Sequence, residues 1–293
     1  MARDIILVKA DFSAFIKPYT IHKVLKNNNR FNLGVESIRM SIEDSREICH
    51  FIYLHDIQIG GVILGNNRIK HLFLYPEYKK LVTPVIKTLH SKALEDMDSK
   101  KGISSLPSNA QQAAIFEKLG YKTIRKLRCV IGPIKKVSWG APAGFIFRNP
   151  SKNDSELIIK LFYDANITEP WHQPVTMEQF GWGNSLYFNK NKTNSITKAS
   201  TICFEEKTRK PVGACLISTD EGYPFVFDLH VLQDYRRKGI ASEMMKKAFS
   251  KMSDEHDYMR LFMVDGNPAE LLYEKLGFIA GKPVFIMKYL PGS

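Results

Sequence analysis

Two stretches of this chain repeat one another: "IFEKLGYK" at 115–122 and "LYEKLGFI" at 272–279, an offset of 157 residues. Applied to "LQDYRR" at 232–237, the same offset lands on "YPEYKK" at 75–80. Tyr235 then aligns with Tyr78, Arg236 with Lys79 and Arg237 with Lys80. Two matches at one offset, with no insertion between them, mark an internal repeat, and a repeat constrains the fold more than any composition does. A chain of 293 residues holds two copies of about 140 residues, each of ordinary domain size. The small, Pro- and Gly-containing stretch "VSWGAPAG" at 137–144 reads as the linker. The expected domains are therefore 1–140 and 141–293.

The copies are not equivalent. Gly239 aligns with Val82, Ala241 with Pro84, and Tyr273 with Phe116. Charge separates them too. Residues 1–146 hold 23 Lys and Arg against 12 Asp and Glu, a balance of +11, while residues 147–293 hold 19 against 18. A basic half can face nucleic acid, an acidic protein or a polyanionic small molecule, or be a lysine-rich solvated surface. Cys49, Cys129, Cys203 and Cys215 show no metal-ligand spacing and read as buried thiols. No metal site is expected. No apolar run approaches the roughly 18 residues of a membrane span, and "MARDIILVKADFSAF" has no secretory pattern, so no membrane partner and a cytoplasmic location are expected.

In the second copy, "SKNDSELIIKLFYDAN" reads as a capped amphipathic helix and "TICFEEKTRKPVGACLIST" as two strands around "TRKP". "FVFDLHVL" at 225–232 reads as a strand with Asp228 and His230 on one face, Leu229 and Val231 on the other. The helix after it carries Ile240, Met244, Met245, Ala248, Phe249 and Met252 on one stripe. "YMRLFMV" is a strand, "NPAELLYEKL" a short helix ended by Gly277, and "PVFIMKYL" a closing strand. The alternation predicts an α/β fold with a partly parallel sheet in each copy.

Between strand and helix sits Arg236-Arg237-Lys238-Gly239. Cations at a helix N-terminus oppose its macrodipole, a cost of a few tenths of a kcal/mol that a bound anion would remove. A glycine there lets backbone N–H groups approach a phosphate. Neither GxxxxGK[ST] nor GxGxxG is present.

"VLQDYRRKGIASEMM" resembles the acyl-CoA-binding motif of the GNAT acetyltransferase superfamily, R/Q-x-x-G-x-G/A, read here as Arg236 to Ala241. "GNPAELLYEKLGF" resembles that family's later motif. The resemblance is strong over roughly 225–289, and the first copy fits as a degenerate member. It implies two tandem GNAT-like domains, each a twisted mixed sheet flanked by helices, with only the second catalytic. It implies an N-acyltransferase that moves an acetyl group from acetyl-CoA to a primary amine, of a small molecule or a peptide, through a tetrahedral intermediate. Backbone groups of Leu229 and Val231 would pair with the pantetheine arm. The turn of Arg236, Arg237, Lys238, Gly239, Ile240, Ala241 and Ser242 would hold the pyrophosphate. Tyr273 would protonate the leaving thiolate. The family's Asn position is Gly266 here, and Asn267 follows one residue late. Asp228 is the candidate general base, with Glu221 as alternative. Trp171, His172 and Trp182, in the region after the first helix, would line the acceptor pocket or pack the fold. The competing reading is a CoA-sensing or nucleic-acid-binding module that uses the basic first half. Tyr273 favours the enzyme, because a binding module needs no hydroxyl there.

Overall fold

The computed structural model of the protein describes residues 5–25, 38–39, 42–167, 176–190, 195–220 and 222–291. Along the chain the first elements are β1 (Ile5–Lys9), α1 (Phe12–Leu25), β2 (Cys49–Leu54), β3 (Ile57–Gly65), β4 (Arg68–Leu74), α2 (Val82–Glu95), β5 (Ile103–Leu106), α3 (Ala110–Lys118) and β6 (Lys122–Pro133). They are followed by β7 (Phe145–Arg148), α4 (Ser155–Asn166), α5 (Met177–Lys190), α6 (Ser195–Ala199), β8 (Thr201–Glu205), β9 (Pro211–Asp220) and β10 (Tyr223–Val231). Last come α7 (Ile240–Met252), β11 (Tyr258–Val264), α8 (Glu270–Lys275), β12 (Ile279–Ala280) and β13 (Val284–Tyr289).

Two compact units form, and they are not the two linear halves. One holds residues 1–129 and 281–293, the other residues 130–280. In the first unit the strands run β1-β2-β3-β4-β5-β13-β6, antiparallel except for the parallel pair β4–β5. In the second they run β6-β11-β10-β9-β8-β7, with β12 on β6 and β10–β11 parallel. The closing strands of the repeat thus do not divide with the copies: β6 through Cys129 stays with the first unit. Strand β13, from the end of the sequence, completes the first unit, and the last residues of β6 complete the second.

This corrects the expected boundary at 140/141. The stretch 137–144 is irregular, but it belongs inside the second unit. The Gly140 N–H donates to Glu243 Oε2 at 3.1 Å, and Lys247 Nζ stands 5.6 Å from the centre of the Trp139 ring. Pro and Gly report an irregular backbone, and they do not say whether it is packed.

Each unit buries side chains on both faces of its sheet. In the second, the stripe of α7 is wholly buried, from Ile240 through Met244, Met245, Ala248 and Phe249 to Met252, against Val212, Cys215 and Leu261. Ile158, Leu161 and Phe162 of α4 cover the other face with Tyr187 of α5. Side chains of this size stabilise by about 1.5–3 kcal/mol each when fully buried. In the first unit, α2 and α3 pack on Ile69, Ile103 and Met287, while Phe15 and Tyr19 of α1 cover Ile63 and Phe73. All four cysteines are free and buried.

The repeat is visible as geometry. In α8 the Gly277 N–H donates to Glu274 O and the Phe278 N–H to Tyr273 O, both at 2.9 Å. Gly277 has φ +89°, and the Tyr273 and Phe278 rings meet edge to face at 5.6 Å. This is a Schellman end with its hydrophobic contact. At the offset of 157, the Gly120 N–H donates to Glu117 O and the Tyr121 N–H to Phe116 O, Gly120 has φ +89°, and Phe116 meets Tyr121 edge to face.

Candidate functional site

The cleft of the second unit begins where two strands part. Strand β10 pairs with β11 at Phe225 opposite Arg260, and among the described residues no pair follows toward Val231. A bulge between Val226 and Asp228 bends β10 at that point. Its other edge stays paired with β9 as far as Val231 opposite Gly213, and the Leu232 N–H donates to Val212 O at 2.9 Å. Backbone groups alternate along a strand, so those of Leu229 and Val231 point away from β9. The Leu229 N–H is taken by Asp228 Oδ1 at 3.1 Å, and Val231 O accepts from Arg236 Nε at 3.0 Å. The Leu229 carbonyl and the Val231 N–H face this same edge of β10.

The turn into α7 provides the next wall. Arg237 has φ +60° and Gly239 φ +82°. A Cβ on Gly239 would meet nothing nearer than Pro142 Cγ at 3.9 Å. Left-handed backbone, and not lack of room, is what calls for glycine there, and the space beside it stays open. The N–H groups of Ile240, Ala241 and Ser242 are in the first turn of α7 and have no intrahelical acceptor. All three residues line a cleft of about 630 Å³, together with Leu229, Val231, Arg236, Arg237, Gly239, Asn267 and Tyr273.

The three cations do different work. Arg236 is structural: besides Val231 O it donates to Ala165 O at 3.3 Å, tying the turn to α4. Arg237 lines the cleft. Lys238 does not, and its Nζ stands 4.9 Å from the centre of the Tyr235 ring.

Tyr273 stands across the cleft from the turn, 6% exposed. Burial, above all, together with the nearby Cys215 and Asp228, pushes its hydroxyl well above the ordinary tyrosine value, so it keeps its proton at neutral pH. Asn267 also lines the cleft, but its Oδ1 accepts from the Ala269 N–H at 2.9 Å, which makes it the cap of the turn into α8. Asp228 and His230 share a face of β10, as expected, and Asp228 Oδ1 lies 2.7 Å from His230 Nε2. His230 reaches the cleft and packs between Phe162 and Phe180, with ring centres at 4.8 and 6.2 Å. The sequence marks His230 only by its spacing of two from Asp228; the contact between them needs the strand.

Trp182 is 73% exposed on α5 and does not line this cleft. Trp171, His172 and Glu221 lie outside the described residues. Among the described residues no cluster of His, Cys, Asp and Glu is placed to hold a metal ion, and no helix is long and apolar enough to cross a membrane.

At the matching place in the first unit the chain makes no such turn. A 3-10 segment, Pro76–Leu81, runs directly into α2, where Val82 is helical at φ −56° and buried. Pro84 removes an N–H where Ala241 keeps one.

Residues 161–278 match the model of the acetyltransferase (GNAT) family. A search of curated proteins finds no match. Among solved structures, a GCN5-related N-acetyltransferase from Sphaerobacter thermophilus superposes with a TM-score of 0.71 at 15% identity, over 99% of this chain and 97% of its own. A tandem GNAT protein from the clavulanic acid biosynthesis pathway gives 0.59 at 12%, over 97% of each chain. A GNAT-family acetyltransferase from Colwellia psychrerythraea gives 0.58 at 13%, over 97% and 99%. At these identities the likeness is one of fold.

Proposed function

We infer, from the match of residues 161–278 to the model of the acetyltransferase (GNAT) family, that the second unit transfers an acetyl group from acetyl-CoA to a primary amine. The observation that carries this reading is the placement of the Gly239 turn and the protonated Tyr273 in one cleft beside the parted strands. The N–H groups of Ile240, Ala241 and Ser242 offer the pyrophosphate of a CoA donor a helix N-terminus, and Arg237 adds charge. The Leu229 carbonyl and the Val231 N–H offer its amide arm the pairing that a further strand would have. Asn267 borders the same space.

The amine must lose a proton before it attacks the thioester carbonyl. Asp228 is assigned as base, acting with His230, which is the member of the pair that reaches the cleft. Attack forms the C–N bond and a tetrahedral oxyanion, and collapse breaks the C–S bond. Tyr273 then delivers its proton to the departing thiolate. The acceptor is a small-molecule or peptide amine. The first unit has neither the turn nor the hydroxyl, so the reading gives one CoA site per chain. A panel of amines, amino acids, aminoglycosides and peptide N-termini, assayed for thiol release, tests the activity. One thiol per acylated amine is expected. Tight acetyl-CoA binding without release for any acceptor would favour a CoA-sensing module instead.

A further inference from the structure

The first unit carries a surface that acyl transfer does not use. Its pairings place Arg68 opposite Ser104, Ser104 opposite Lys288, and Lys288 opposite Lys122. Directly opposed residues share a face, so these four form one row across β4, β5, β13 and β6. At about 4.8 Å per strand the row spans roughly 14 Å. The neighbouring row on the other face is Ile69, Ser105, Met287 and Thr123; the first three are at most 1% exposed against α2 and α3. The charged row therefore points away from that core. Lys70, two residues beyond Arg68, extends it on the same face, as does Arg125, which the register shift between Ile286 and Met287 brings opposite Ile286.

That face holds five cations and no carboxylate: β4 is RIKHLFL, β5 ISSL, β13 VFIMKY, and β6 begins KTIRKLR. None of the five is in an ion pair among the described residues. Arg68 and Lys122 are exposed, the other three half-buried. Like charges directly opposite one another destabilise a sheet, and Lys288 with Lys122 is such a pair. Burial and the charge of Arg68 already hold the Lys70 ammonium below the ordinary lysine value. Ser104, Leu106 and Ile286 stand between the cations, and the rings beside Lys70 on this face, Tyr19 and Phe73, are buried under α1 at 1% and 0% exposure. A face of this kind can neutralise phosphates but has nothing on which to stack a base, and no aromatic anchor or pocket for a peptide.

We propose that the Arg68–Lys288–Lys122 face of the first unit binds the phosphate backbone of a nucleic acid without reading its sequence. This goes beyond the acetyltransferase reading and stands on separate residues. The test is fluorescence anisotropy of the full chain with a labelled 30-nucleotide single strand and a 30-base-pair duplex of arbitrary sequence, between 50 and 300 mM salt. Five cations give a slope of log K against log salt of about −3.5 for the single strand, at −0.7 per phosphate, and a steeper one for the duplex. Lys122→Glu with Lys288→Glu should weaken binding at least tenfold and flatten the slope, and Lys122→Glu alone should do so to a lesser degree. Lys79→Glu with Lys80→Glu, an exposed basic pair on the 3-10 segment, should bind as the unchanged protein does. Circular dichroism confirms the fold of each variant. Unchanged binding in both Lys122 variants, equal loss in the Lys79/Lys80 variant, or displacement of the nucleic acid by polyglutamate at equal charge would overturn the proposal.

Discussion

Tyr273 and Phe116 hold equivalent places in two C-caps of the same geometry, and they differ by one oxygen atom. The proposed chemistry rests on that atom. Tyr273→Phe keeps the ring against Phe278, so the fold and acetyl-CoA affinity should persist while turnover falls roughly 10²-fold or more, the usual cost of losing a general acid. Turnover equal to that of the unchanged protein, measured with a true acceptor, would reduce Tyr273 to packing. Asp228→Asn should also lower turnover by about 10²-fold, and His230→Gln should match it if the two act as one unit, with acetyl-CoA affinity retained in both. A large loss in His230→Gln with none in Asp228→Asn would separate them. At this scale the placement of Tyr273 and Gly239 in one cleft was legible because each sits in a motif with its own spacing, whereas Asn267 is one residue off that spacing. The division of labour among Arg236, Arg237 and Lys238 was not: a run of cations in sequence does not show which of them finds a carbonyl, a ring or open space.

At the scale of elements, two termini can be tested. The Schellman end of α8 fixes the ring of Tyr273, and Gly277 supplies its left-handed residue. Gly277→Ala should cost about 1–2 kcal/mol of stability by thermal denaturation and lower turnover by displacing Tyr273. Gly120→Ala, at the matching end of α3, should destabilise comparably and leave acetyl-CoA affinity unchanged. At the start of α4, Asp154 accepts from both Arg148 guanidinium nitrogens and from the Ser151 N–H and hydroxyl. The Arg148 and Ser151 donors lower its pKa to about 2. Because folding lowers this pKa, its stabilisation is complete above about pH 4 and fades as the pH falls toward 2. Asp154→Asn should remove about 1–2 kcal/mol at pH 7, less than a buried pair would give because Arg148 is half exposed, and should flatten the stability curve across that acid window. A curve of unchanged shape would show that other carboxylates govern it. In the second copy the order α4, β8, β9, β10, α7, β11, α8 was readable from periodicities, whereas β7, α5, α6 and β12 were not. The bulge at Val226/Asp228, which bends β10 where it leaves β11, left no mark, since bulges depend on the partner strand.

For the whole molecule, the placement of β13 in the first unit and of the end of β6 in the second means that neither sequence half contains a complete unit. Residues 1–140 lack β13, and residues 141–293 lack the end of β6. Each half expressed alone should show no cooperative unfolding transition, and the two co-expressed should purify together. A fragment 141–293 that unfolds cooperatively and binds acetyl-CoA on its own would contradict this. The repeat was legible at the level of copies because "EKLG" and its surroundings persist at one offset. The placement of β13 was not, because a closing strand has the same alternation whichever sheet it joins. Titration calorimetry of the full chain with acetyl-CoA counts the acyl-CoA sites and shows whether the one expected per chain is at the Gly239 turn. A stoichiometry of one is expected, with binding abolished in Gly239→Glu, which puts bulk, negative charge and a disfavoured φ at the turn, while circular dichroism stays the same. A second site of similar affinity, or a Gly239→Glu variant that binds as tightly as the unchanged protein, would contradict it.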